Sequence, residues 1–176
     1  MRLKSDDHRY GAVAVAMHWL TALAVLGLLG SGLVMADIDD AVAKAALVKT
    51  HAAAGVFVTL LTLLRIAWWL FADRRPEKPQ GAPAWQTRAA TLVHRLFYVV
   101  ILMMGVSGMA MLMLSGAASV LASGQGTLPD FSLYAPRGPH GAGAWFMMAL
   151  IAAHVGAALY HQFIRRDRLL ARMGLG

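Results

Sequence analysis

The sequence predicts an all-α integral membrane protein, a single four-helix bundle over residues 1–176 with both termini cytoplasmic. Three observations predict it. Hydrophobic residues make up 59% of the chain and charged residues 14%, with a mean hydropathy of +0.58. A soluble domain is about 45–50% apolar and about 25% charged. Four apolar stretches, each longer than twenty residues, alternate with polar connections. The basic residues crowd the connections that an even number of spans places on one side.

The first stretch, residues 11–36, holds no charge. It is too long for the h-region of a signal peptide, about 7–15 residues, so it is expected to be a retained span. The second, residues 51–72, holds only Arg65, and the third, residues 91–114, only Arg95. The fourth, residues 140–164, holds none. A bilayer core of about 30 Å needs about 20 helical residues, and a helix satisfies its own backbone in lipid. Each stretch is therefore expected to span a membrane. The loop over residues 76–83 is rich in turn residues. The longer one over residues 115–139 is expected to carry a short surface helix near residues 117–121.

Charge sorts by side. Arg2, Lys4 and Arg9 precede the first span, Arg74, Arg75, Lys78 and Arg88 lie between the second and third, and Arg165, Arg166, Arg168 and Arg172 follow the fourth. Lys44, Lys49 and Arg137 are left on the other side. The positive-inside rule makes the crowded side cytoplasmic, and Trp68, Trp69, Trp85 and Trp145 near span ends fit an aromatic belt. The net charge of +7 and pI of about 10.4 thus report topology. Nucleic acid is not an expected partner, because no basic stretch is interleaved with base-stacking aromatics. With no cysteine, disulfides, thiolate metal sites and a cysteine nucleophile are excluded.

The histidines carry the chemistry. Six of the seven lie in or at the ends of the apolar stretches: His18, His51, His94, His140, His154 and His161. Ionisable residues within a membrane are costly and mark functional sites. His140 and His154 share a face of the fourth span, about 21 Å apart along its axis. On the outer side only His51 lies at a depth matching His140. On the inner side His94 and His161 sit beside arginines and read as shallow, so depth pairs His18 with His154. No carboxylate is embedded in a span, which excludes a di-iron carboxylate site and leaves zinc short of ligands. Haem needs only axial ligands from the protein, and two histidines favour electron transfer over oxygen binding.

His18-Trp19 in the first span, His51 with Gly55 and Arg65 in the second, and His140, His154 and His161 in the fourth resemble the bacterial di-haem cytochromes b561 over nearly the whole chain. The resemblance implies two non-covalent b haems, on His18/His154 and His51/His140, in a multi-pass protein of the bacterial cytoplasmic membrane. For the small standalone members it implies oxidation of superoxide at the outer haem and reduction of ubiquinone on the inner side. Related subunits instead take electrons from a hydrogenase or another dehydrogenase.

Within that frame Lys49 and Arg137, next to the outer ligands, are candidates for steering superoxide. Asp37, Asp39, Asp40 and Asp130 on the same side oppose them. Arg9, Arg65, Arg95 and Arg165 are candidates for haem propionates through charge-assisted bonds. His161, two turns past His154, is the candidate for passing a proton to quinone, with His94 behind it. A haem-free structural or transport bundle is the competing class, which an absorption spectrum separates.

Overall fold

The computed structural model describes residues 2–77 and 83–175; Lys78 and most of the turn-rich loop at residues 76–83 lie outside the described residues. All regular structure among the described residues is helical. Helix α1 covers Ala12–Val34, α2 Ala41–Ala67, α3 Ala84–Leu114, α4 Ala117–Ser123 and α5 Arg137–Leu159. Helices α2 and α5 each end in a wider π turn, Trp68–Ala72 and Tyr160–Arg165. Among the described residues four segments are long and apolar enough to cross a bilayer: Ala12–Asp37, Ala41–Ala72, Ala84–Leu114 and Arg137–Arg165. Helix α4 is the short helix expected after the third span.

Two helices begin well before their apolar stretches. Helix α2 starts at Ala41 rather than near residue 51, because the Asp40 carboxylate caps it by accepting from Ala43 N at 2.7 Å. Such a cap satisfies a donor the helix itself leaves free, and the alanine-rich turns that follow favour helix. Helix α3 starts at Ala84 rather than near residue 91, behind Pro83 at its N-cap. Charge-free windows mark the hydrocarbon slab, whereas helices run on into the polar interface. As a result His51 and His94 each lie ten residues inside a helix. The expectation that His51 opens its helix does not hold.

Helix α5 packs broadly on α3, α1 on α2, and α2 on α3, while α5 hardly approaches α1 or α2. A cleft is left on that side of the bundle. Close approach elsewhere depends on glycine: a side chain at Gly105 would run into Thr59 of α2, and one at Gly143 would lie 2.7 Å from Met103 of α3. Small residues serve this purpose between membrane helices. The buried core is a layer of Val25, Val58, Val100, Met147 and Leu150. Val25 and Val58 lie seven residues after His18 and His51, and Met147 lies seven from both His140 and His154. Seven residues are about two turns, so this apolar layer sits midway between two levels of histidine. Leu23, Leu26, Leu60, Leu64, Val99 and Val106 face outward, as they do where the solvent is lipid.

At one end the polar segments are bound together. Ser5 donates from its backbone N and from Oγ to Asp73, at 3.1 and 2.8 Å, and Trp68 Nε1 donates to Asp73 at 3.1 Å. Arg172 donates to the carbonyls of His8 and Glu77 at 2.8 and 2.6 Å. Burial pushes the Asp73 carboxyl up, but the bonds from Ser5, Arg74 N and Trp68 outweigh it and hold it below the usual carboxylate range. Both chain ends and the connection between the second and third spans therefore meet at this basic end.

Candidate functional site

The spans bring two pairs of histidine together at two levels. At the end away from the termini, the ring centres of His51 on α2 and His140 on α5 are 6.3 Å apart. Toward the basic end, those of His18 on α1 and His154 on α5 are also 6.3 Å apart. Two imidazoles that bind one metal ion at about 2.0 Å each, with ring radii of about 1.1 Å, hold their centres about 6.2 Å apart. Both pairs fit an ion between them. Among the described residues no three or more His, Cys, Asp or Glu gather to hold a bare metal ion. The donor set suits a group that brings its own equatorial ligands, and haem is such a group.

The hydrogen bonds at the first level fix which nitrogen is free. Ser31 Oγ lies 3.0 Å from Leu28 O and 2.9 Å from His51 Nδ1. Its one proton goes to the carbonyl, so it accepts from the imidazole. Likewise Ser107 Oγ donates to Met104 O at 3.1 Å. His140 Nδ1 lies 3.1 Å from both Ser107 Oγ and Met104 O, and the carbonyl can only accept. His140 therefore carries hydrogen on Nδ1, and with the Ser31 proton on Leu28 O the same holds for His51, so that each ring keeps the Nε2 lone pair for a metal. Metal-ligating histidines are usually held in this way by their other nitrogen. Gly32 and Gly108 flank the pair: a Cβ at Gly108 would lie 3.2 Å from His140 Cε1. A cavity of about 320 Å³ opens here, lined by His51, His140, Gly55, Met104 and Arg137. Lys49, two residues before His51, is exposed and is not part of that lining.

The second level is more crowded. His94 on α3 lies 5.3 Å from His154 between ring centres, and Phe97 lies 5.5 Å away. The separation to His94 is too short for a metal held between the rings, unlike that to His18. Arg65 of α2 lies within electrostatic reach of His18, His94 and His154. Among the described residues its Nε is buried with no acceptor, as Thr62 Oγ1 is buried with no partner. A buried guanidinium nitrogen without an acceptor suits a group that carries a carboxylate. Haem does, on its propionates.

The remaining candidates fall elsewhere. Arg95 is exposed on α3, one residue past His94. Arg9 lines a separate basic cavity of about 370 Å³ with Arg2, Lys4 and Arg172, in which no histidine takes part. His161 sits in the π turn that ends the fourth span, with Nδ1 2.5 Å from Asp167 Oδ2. Arg165 donates to Gln86 of α3 at 3.0 Å. Sequence reasoning missed Ser31, Ser107, Asp167 and the place of His94. The signal for His94 was available, since Phe97 and Ile101 follow it at three and seven residues on an inward stripe of α3.

The profile of the family described as prokaryotic cytochrome b561 matches residues 9–176. The chain is 31% identical to "Cytochrome b561 homolog 1" of Escherichia coli (strain K12) over 172 residues, 94% of this chain and 97% of that protein. It is 28% identical to "Cytochrome b561 homolog 2" of the same organism over 183 residues, 98% of this chain and 95% of that protein. With its four spans, this chain belongs to the prokaryotic cytochrome b561 family: it is a multi-pass cytochrome b of the bacterial cytoplasmic membrane with a role in electron transfer.

Proposed function

We propose that the chain carries two b-type haems, one on His51 and His140 and one on His18 and His154. We propose further that it moves electrons from superoxide on the outer side to ubiquinone on the inner side. The observation that carries this reading is the repeated 6.3 Å spacing of the two pairs. Their α5 members are fourteen residues, about 21 Å, apart. Haem bound at each level supplies a reversible one-electron couple.

The side chains have separate tasks. His51 and His140 offer Nε2, kept free by the hydrogen bonds of Ser31, Ser107 and Met104 O. Arg65, with its buried Nε, supplies positive charge to the propionates of the inner group. The layer of Val25, Val58, Val100, Met147 and Leu150 excludes water between the levels. Arg137 on the outer cavity, with Lys49 nearby, attracts a small anion. At the basic end, taken as cytoplasmic by the positive-inside rule, His161 gives protons to the quinone. Two superoxide ions and one quinone, with two protons, then yield two O₂ and one quinol.

The opposing Asp37, Asp39, Asp40 and Asp130 favour a second reading. In it a protein dehydrogenase with a basic docking face delivers the electrons on the outer side. Stopped-flow mixing of the oxidised holoprotein with generated superoxide, followed by measurement of quinol, separates the two. Direct haem reduction followed by quinol supports superoxide as donor. Haems that stay oxidised overturn that reading and leave the dehydrogenase.

A further inference from the structure

The fourth span ends in an unusual way. After the π turn Tyr160–Arg165, Arg166 and Arg168 both adopt left-handed backbone, with φ of 56° and 54°. Asp167 stands between them. The left-handed region is unfavourable for a residue with a Cβ and is entered mainly by Gly, Asn or Asp. The two left-handed arginines bracket Asp167. The fold turns Asp167 back on the helix end: its N donates to His161 O at 3.3 Å, and its Oδ2 lies 2.5 Å from His161 Nδ1. Arg165 Nε is 3.8 Å from the same carboxylate oxygen and, through Gln86, ties the turn to α3. The His161 side chain is 16% exposed and that of Asp167 29%, so the pair is sheltered yet in reach of water. Strained backbone of this kind gathers at functional sites.

We propose that Asp167 is a positioning residue. It fixes His161 with hydrogen on Nδ1, so that Nε2 is the atom that hands protons to the quinone. The inference rests on the reading of His161 as the group that protonates quinone. A carboxylate can only accept a hydrogen bond, so the nitrogen facing it carries the proton. In each transfer the doubly protonated ring breaks its Nε2–H bond as the quinone oxygen forms an O–H bond, and it keeps the Nδ1–H on Asp167. Water on the basic end returns a proton to Nε2. Two such transfers and two electrons, given up by two superoxide ions as they become O₂, complete one quinol.

The test uses the holoprotein in lipid nanodiscs with ¹⁵N-labelled histidine, the His161 signal being assigned from its loss in His161→Gln. The neutral His161 ring is expected to carry hydrogen on Nδ1 in the wild type. In Asp167→Asn that preference is expected to be lost and the Nε2–H form to appear, since the amide can donate to a bare Nδ1 as well as accept from a protonated one. The rate at which reduced haems pass electrons to added ubiquinone should fall by about 10-fold or more, as misplaced tautomers do in other carboxylate–histidine pairs. Haem content should stay unchanged. A bare Nδ1 in the wild type overturns the proposal whatever the variant does. So does a quinone rate within about twofold of wild type in Asp167→Asn while His161→Gln is slow. If His161→Gln itself reduces ubiquinone at the wild-type rate, the reading of His161 fails first and Asp167 falls with it.

Discussion

Removing the Ser31 hydroxyl should weaken the outer haem far more than removing that of Ser107. Both serines meet the Nδ1 of a proposed ligand, at 2.9 Å for His51 and 3.1 Å for His140. His140 has a second acceptor, Met104 O, also at 3.1 Å. Among the described residues His51 has Ser31 alone. In Ser31→Ala a sheltered N–H is left without a partner, at a cost of about 1–3 kcal/mol. Each 1.4 kcal/mol is tenfold in affinity, so haem affinity should fall by about 5- to 150-fold. The measured effect of such outer partners, about 10–100-fold, lies within that range. In Ser107→Ala the carbonyl keeps the ring in place, and the loss should stay within about threefold. Titration of haem into apoprotein, followed at the Soret band, measures both. Equal losses, or a larger one in Ser107→Ala, would refute the argument that these hydrogen bonds set the tautomer.

His94→Ala should retain both haems, whereas His18→Ala and His154→Ala should each lose the inner one and His51→Ala and His140→Ala the outer one. Spectra of the purified variants decide, and loss of a haem from His94→Ala would reassign the inner pair. Gly105→Val should lower stability by about 1–3 kcal/mol through overpacking against Thr59, seen as a fall in Tm in detergent; an unchanged Tm would contradict the close α2–α3 contact. Because Asp73 has its carboxyl held below the usual range, it stabilises the docked tail above that range, and the contribution is lost as pH falls through the lowered value. Hydrogen exchange at Ser5 N should speed up below about pH 4 in the wild type and be fast and pH-independent in this respect in Asp73→Asn.

The four spans were legible because lipid demands long uninterrupted apolar helices. Their ends were not, because a helix continues beyond the hydrocarbon wherever a cap such as Asp40 and good helix formers allow it. That difference moved His51 and His94 deeper into their helices than charge alone suggested. The meeting of His51 with His140 was nevertheless legible, since few histidines share that end. His94 was misread through its neighbour: both His94 and Arg95 are exposed, but adjacent side chains point about 100° apart on a helix, so Arg95 can face lipid headgroups while one edge of the His94 ring still meets His154. Ser31, Ser107 and Asp167 were hidden for another reason. A serine in a span looks the same whether it bonds its own helix or a facing ring, and the return of Asp167 onto His161 depends on two left-handed arginines that no local preference favours.

Two histidine pairs, one at each level of the bundle, are proposed to hold one haem each. The direct measurement is the pyridine haemochrome of the fully loaded, purified chain against its amino-acid-determined concentration. Two haem b per chain are expected, released without covalent attachment because the sequence has no cysteine. One haem per chain, or none, would contradict this.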